Sequence, residues 1–482
     1  NSIIIGISIF ASMLSTISFL SYPGEIIKHG PMLLTGLLAI PFAYVLIGYW
    51  LLPVLMRHRA TSAYELLEAR LGMTGRRLGA IMFLIFRLNW MALLLYMSSM
   101  AMVVVLGIDE RNLPLVAAVV GLVAVMYTSV GGLRAVVVTD VVQFAILFGG
   151  ALVTLGTITY NMGGVSAWWP TDAAVTAHWD EQPFWSWDPT VRITMVGMII
   201  MGVVSRLTSA GGDQVQVQRF MATTDAKAAR RAFLVTSIAG VFTMTLLSLV
   251  GLALMGYFTE HAHLIPASGS VESEADGLYP YFIAAFLPPG ISGLVVAALF
   301  AAAMSSVDSG VNSISAVVMS DFVEQWKRKP QTQKQHVRFA IVLAFVIGVI
   351  VVLLSTLMQY IPGNFTEVTN RAIGTLGAPL FALFVLALFV PFSNSYGAVV
   401  GAAYGVSCSM VVAYWGVLTD LPHLSFMWIG PAGLLVNVVV GMAASALTGQ
   451  VSPRSGRWII SGGFLVLLAL IIGGIAVYPW AK

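Results

Sequence analysis

The chain runs to 482 residues, of which 58% are hydrophobic and only 9% charged. A soluble domain carries about 25% charged residues, so a chain this apolar excludes a water-exposed surface and needs lipid around it. The net charge of +3 gives no case for nucleic-acid binding, and a single cysteine, Cys408, excludes an internal disulfide framework and any cysteine-based metal site.

A helix needs about 20 apolar residues to cross the bilayer core. Thirteen runs reach that length, at 2–22, 31–56, 78–106, 113–130, 135–160, 191–211, 232–257, 290–320, 337–360, 366–392, 396–417, 425–448 and 457–480. The first residue is Asn1 and the apolar run begins at once, which points to a natural start further upstream. Ile3 to Leu20 is too long for a cleavable signal peptide and lacks a basic start and a cleavage site.

The first run carries the hydroxyls of Ser12, Ser15, Thr16, Ser18 and Ser21, then Pro23-Gly24. That pattern predicts a broken helix, which frees backbone carbonyls at mid-membrane. After the second run, 61–77 reads as a short amphipathic helix lying at the interface. The third run contains Arg87 and the fifth contains Asp140. The loop 161–190 holds five tryptophans: Trp168, Trp169, Trp179, Trp185 and Trp187. They read as an interfacial aromatic belt, with a lid over a cavity as the sharper alternative.

The sixth run ends in Ser205 to Gln214, polar and interrupted by Gly211-Gly212. The first and sixth runs are thus both breakable, at the spacing expected of two inverted five-helix repeats around a central site. Glu260, His261 and His263 sit in a loop and read as solvated rather than as a metal cage. In the eighth run Ser305, Asp308, Ser309 and Asn312 follow the i, i+3, i+4, i+7 rule and share one helix face. Sodium is a hard cation that takes oxygen ligands. Serines alone would suit close helix packing. A carboxylate in the membrane interior points instead to a cation site.

Basic residues set orientation. Alternate loops hold seventeen Lys and Arg residues, from Arg57 to Arg457, against three in the others, Lys28, Arg111 and Arg192. The basic loops are therefore cytoplasmic. No linker divides the chain, so 1–482 reads as a single transmembrane domain, all-α, with about thirteen helices.

Five stretches together resemble the sodium/solute symporter family, which includes sodium/sugar, sialic acid, monocarboxylate, multivitamin and iodide symporters. They are Phe10 to Ser15, Thr61 to Arg70, Tyr127 to Gln143, Gln214 to Phe220, and Ala301 to Asp321. The resemblance implies a LeuT-like five-plus-five core. Its first inverted repeat would span 1–160, its second 191–392, and peripheral helices 396–482. It implies Na+ as the coupling ion, a small-molecule solute as cargo, residence in the plasma membrane and no enzymatic activity.

Carried over by position, a first sodium site takes the carbonyls of Ala11, Leu14 and Ala302 and the hydroxyls of Ser305 and Ser306. A second site takes Asp140, Ser305, Asp308 and Ser309. Asp308 stands where serine is usual, so the extra charge either strengthens a second sodium site or binds a proton. Asp140 has an alternative reading as a helix-start carboxylate favoured by the macrodipole.

The implied substrate positions are Ser15, Ser18, Met32, Gly36, Arg87, Trp90, Arg206 and Ser209. Sialic acid members carry an arginine where Trp90 stands, and the amide and aromatic positions of the second run are Gly36 and Met32 here. This is therefore not a close copy of a sugar or sialic acid carrier. Arg206 offers a planar fork that holds a carboxylate with two hydrogen bonds, with Arg87 assisting. It would then select an anion such as a monocarboxylate or vitamin-like acid. Alternatively it neutralises Asp308 or Asp140, or snorkels to the inner surface. A neutral solute such as a sugar is the competing cargo. An integral-membrane enzyme would need a His, Asp or Glu constellation that the scattered histidines do not supply, and a channel or sensor would not accumulate solute.

Overall fold

The computed structural model describes residues 2–13, 16–57, 62–171, 176–177, 179, 183–265, 269–323, 332–361, 365–419 and 421–448. Among them the regular structure is helical, with no strand. The first run gives two helices, α1 (Ser2–Met13) and α2 (Thr16–His29). Leu14 and Ser15, at the expected mid-membrane break, lie outside the described residues. The Pro23-Gly24 pair does not break the chain as expected, because Pro23 sits inside α2. The helix ends instead before Gly30, whose φ of 76° is open to glycine at little cost.

The second run changes pitch repeatedly. It passes from a 3₁₀ segment (Pro31–Leu38) through α3 (Ala39–Val45) and a π segment (Leu46–Leu51) to α4 (Leu52–Leu55). The segment at 61–77 starts a short helix at Glu65 that is interrupted at Gly72, where φ and ψ of 64° and −174° are not helical, before the third run continues to Leu106; the two pieces are numbered together as α5 (Glu65–Leu106). The fourth and fifth runs are likewise joined as α6 (Leu113–Asn161), of 49 residues. At about 1.5 Å per residue that length is more than twice the ~30 Å hydrocarbon core, so α6 holds both runs. No proline after Pro114 interrupts it. A short α7 (Val165–Trp168) follows.

The sixth run is broken as expected. The helix α8 (Met195–Gly212) stops at Asp213, whose φ and ψ of −88° and 114° are extended, and α9 (Gln214–Met221) begins immediately. Asp213 caps α9 by accepting from Val215 N at 3.0 Å, which satisfies an amide that would otherwise lack a partner. Then come α10 (Ala226–Glu260), α11 (Ala275–Phe286), α12 (Ile291–Asp321), α13 (Gln333–Ser355) and α14 (Phe365–Phe389). The chain continues with α15 (Ser395–Ala413), α16 (Trp415–Thr419) and α17 (Ile429–Thr448). Among the described residues, 10 segments are long and apolar enough to cross a membrane. The thirteenth run, 457–480, lies outside the described residues.

Two apolar clusters fill the bundle. One gathers Phe19, Ile26, Leu147, Trp168, Leu246, Phe258, Phe282 and Ala302 towards the outer side. The other gathers Leu55, Tyr64, Phe83, Phe220, Val307, Val311 and Phe381 towards the basic-loop side. On α12 the buried members of the first end at Ala302 and those of the second begin at Val307. Ser305 and Ser306 fall in the gap between them.

Candidate functional site

The polar face of α12 is withdrawn from lipid. Ala302, Ser305, Ser306, Asp308 and Ser309 are all buried. Asn312 Nδ2 donates to Asp308 Oδ1 at 3.0 Å, one turn along the same helix. The Ser309 carbonyl accepts from Ser313, while Ser309 Oγ is buried without a hydrogen-bond partner among the described residues. A buried hydroxyl oxygen with spare lone pairs beside a carboxylate is a donor set that suits a hard cation. Both α1 and α2 pack on α12, so the first and eighth runs meet as a site between them requires. The side chain of Ala11, all of Leu14 and the side chain of Asp140 lie outside the described residues.

The proposed substrate residues divide into separate groups. Arg206 Nη1 donates to the Gly202 carbonyl of its own helix at 3.0 Å. A Cβ on Gly202 would stand 2.7 Å from Ala39 Cβ and 3.3 Å from the Gly36 carbonyl, so Arg206 rises against the second run. Gly36 in turn faces Met198 of α8, and Met32 and Tyr22 pack on the cluster that contains Met198. Met32, Gly36 and Arg206 are therefore brought together between α2, the second run and α8. The alternative in which Arg206 neutralises Asp308 is not seen: none of the ion pairs among the described residues includes Arg206. Ser18 and Ser209 are half-buried on α2 and α8, and Ser15 lies outside the described residues.

Arg87 and Trp90 sit elsewhere. Arg87 is buried, with Nη1 3.6 Å from Asp213 Oδ2 and Nε beside Gly310 of α12. Its Nε and Nη2 groups have no hydrogen-bond partner among the described residues. It thus reaches the break of the sixth run rather than the Arg206 group. Trp90 packs on the cluster of Met358, Val368 and Ala372, beside the start of α14.

A set of outer contacts was not foreseen from the sequence. Arg192, just before α8, donates from Nη1 and Nη2 to the two oxygens of Glu25 on α2, at 2.5 and 3.1 Å. Its Nε donates to Glu367 Oε1 on α14 at 3.0 Å. Burial opposes the charge of Arg192, but hydrogen bonding and attraction from Glu25 and Glu367 raise its pKa overall. Lys28, at the outer end of α2, pairs with Asp276 of α11 at 3.1 Å. Burial pushes the Asp276 carboxyl up, with Lys28 pulling the other way. Trp179 of the tryptophan loop donates to the Ile27 carbonyl at 3.1 Å and stacks against Gly30. The signal available in the sequence was the placement of Glu25, Lys28 and Arg192 at run ends, of which only Lys28 and Arg192 enter the orientation count.

Comparison with known proteins supplies the class of chemistry. Residues 1–405 match the description "Sodium:solute symporter family". The chain is 29% identical to the sodium/sialic acid symporter SiaT of Proteus mirabilis (strain HI4320), over 92% of this chain and 86% of that one. It is 30% identical to the sodium-dependent multivitamin transporter of Oryctolagus cuniculus, over 85% of this chain and 63% of the relative. A solved structure of a Na+-coupled sialic acid symporter, substrate-bound and outward-open with a novel Na+ site, superposes with a TM-score of 0.79. That match has 28% identity and covers 93% of this chain and 90% of the other. The fold is the LeuT-like all-α architecture that the two breakable runs suggested. This chain belongs to the sodium:solute symporter family: it is a multi-pass membrane transporter, not an enzyme, and Na+ is its coupling ion.

Proposed function

We propose that this symporter imports a small organic anion, such as a monocarboxylate or vitamin-like acid, across the plasma membrane. The observation that carries this is Arg206. A guanidinium within a membrane-spanning helix is costly unless a counter-charge meets it. Among the described residues its hydrogen-bond partner is a carbonyl of its own helix, and no carboxylate pairs with it. A solute carboxylate entering beside Gly36 and Met32 would supply the missing charge through two parallel hydrogen bonds.

Sodium would be held where α1 meets α12, by carbonyls of Ala11, Leu14 and Ala302 and hydroxyls of Ser305 and Ser306. Asp308, Ser309 and Asp140 would form a second cation position. Bound sodium pins the first run against the eighth and favours the outward-open form; solute then binds, the outer contacts close and the inner side opens. Each charge entering lends about 2.3 kcal/mol per 100 mV. Coupling follows because each ligand binds the two forms with different affinity. In this reading 1–160 and 191–392 are the inverted repeats, and 396–482 packs around them.

The test is uptake into proteoliposomes under an imposed sodium gradient, with carboxylates, sugars and vitamins offered in turn. Accumulation of a carboxylate, lost when the gradient is removed, supports the reading, whereas accumulation of only neutral sugars overturns the anion assignment. Ser306→Ala abolishes the sodium dependence; full sodium-driven uptake in that variant rules out the first site.

A further inference from the structure

The segment that enters α5 turns its polar groups away from water and onto two different helices. Tyr64 is fully buried, and its hydroxyl donates to the Gly212 carbonyl at 3.0 Å. The last carbonyls of a helix lack intrahelical partners, and Tyr64 supplies one to the final residue of α8. The adjacent Ala63 N–H donates to Gln214 Oε1 at 2.7 Å, on the first residue of α9. Two neighbouring residues thus hold both sides of the Asp213 break.

The same segment holds the inner end of α12. Ser62 Oγ donates to Asp321 Oδ2 at 2.8 Å. Arg76 donates through Nε to Asp321 Oδ1 and through Nη2 to the Ser320 carbonyl at 3.1 Å. Asp321 is fully buried, so these partners meet a charge that water does not reach. Arg76 also binds Glu68 at 2.7 Å, which ties the two sides of the Gly72 bend. On the far side Ser395 Oγ donates to the Leu71 carbonyl at 2.6 Å, anchoring the bend to the start of α15.

We infer that Tyr64 is a positioning residue for coupling: the Ser62–Tyr64 elbow ties the broken sixth run to the inner end of the eighth, so that both open to the cytoplasm together. Displacing Asp321 pulls on Ser62, and Ser62 is two residues from the hydroxyl that closes the Gly212 carbonyl. Sodium held on α12 and solute held beside α8 then gain their inner exits in one step. The inference rests on sodium-coupled transport and on these contacts, and not on the charge of the solute.

The test uses the full chain with Cys408→Ser and Val317→Cys. Val317 is buried one turn before Asp321, so the new thiol reports opening at the inner end of α12. Tyr64→Phe keeps the ring and removes only the hydroxyl. In proteoliposomes, labelling by a membrane-impermeant maleimide from the cytoplasmic side rises about two- to tenfold, the equilibrium equivalent of one neutral hydrogen bond. Radiolabelled sodium also leaks without any solute present. Asp321→Asn moves both readouts in the same direction and guards against a local folding defect in the first variant. The inference is overturned if Tyr64→Phe protein inserts normally yet shows unchanged labelling and unchanged sodium flux. It is equally overturned if yield and thermal stability fall while labelling per folded molecule stays constant.

Discussion

Arg192 grips Glu25 with both terminal nitrogens, at 2.5 and 3.1 Å, although the Glu25 side chain is wholly screened from solvent. The pair joins the outer end of α2 to the lead-in of α8. The third partner, Glu367, brings in α14.

Removing one member of a buried pair leaves an uncompensated charge, which costs about 3–5 kcal/mol. Arg192→Gln is therefore expected to lower the unfolding temperature in detergent and to raise access to the outer vestibule. Glu25→Gln should do the same alone. The double variant should recover part of the loss, because the stranded charge is gone. Additive losses in the double variant would show that the pair contributes no coupling.

Asp276 gives a pH prediction. Burial raises its carboxyl above the ordinary carboxylate value of about 3.9, with Lys28 opposing. The folded form then holds a proton at pH values where the unfolded chain has released it. Stability consequently falls as pH rises from the ordinary value through the raised one, and is regained on acidification. Asp276→Asn is expected to flatten the stability curve over that mildly acidic window. A thermal-unfolding series across pH reads the slope, and an equal slope in both proteins would refute the assignment.

How far the sequence disclosed this architecture depended on whether the signal was local. The apolar runs, the break after Gly212 and the polar face from Ser305 to Asn312 all follow from residues adjacent in the chain or on one helix. Pro23 misled because a proline removes one backbone donor without obliging the helix to stop, and α2 continues to His29. Ser62, Glu65, Glu68 and Arg76 looked like the wet face of an interfacial helix. They are instead drawn together around Asp321, a partner 259 positions from Ser62, and no periodicity encodes such a pairing. Arg87 lies one turn before Trp90 in the third run, which places it with the substrate positions in the sequence; its partner Asp213 is visible only once the sixth run is folded.

Arg206→Lys separates geometry from charge. Lysine keeps the positive charge but loses the planar fork that two carboxylate oxygens match. Hydrogen bonds to charged groups contribute about 1.5–3 kcal/mol, so the apparent affinity for a carboxylate should weaken about ten- to hundredfold. The sodium half-saturation should move far less. Competition uptake measures both, and an unchanged carboxylate affinity would remove Arg206 from the solute site.

Ser309→Ala tests the second cation position from the hydroxyl side. Its Oγ is buried with no hydrogen-bond partner among the described residues, so alanine removes an oxygen without stranding another group. If that oxygen coordinates sodium, the sodium half-saturation should rise about tenfold or more, the scale of one polar contact to a charge. The maximal rate at saturating sodium should hold. A parallel sodium titration of both proteins reads the shift, and coincident curves would place the ion elsewhere.

Substituting Asp308 tests how many ions move. A carboxylate in the membrane interior is costly, Asp308 is fully buried, and Asn312 donates to its Oδ1. With sodium there, uptake in the natural protein rises sigmoidally with sodium, and Asp308→Asn makes the curve hyperbolic while reducing the charge moved per solute. Uptake then stays insensitive to pH in both proteins. A proton at the same position gives the opposite pattern: the natural protein loses uptake as pH rises, the variant does not, and the sodium curve keeps its shape. Sodium titrations at two pH values, with current recorded alongside uptake, separate the two outcomes because only one of them changes the sodium count.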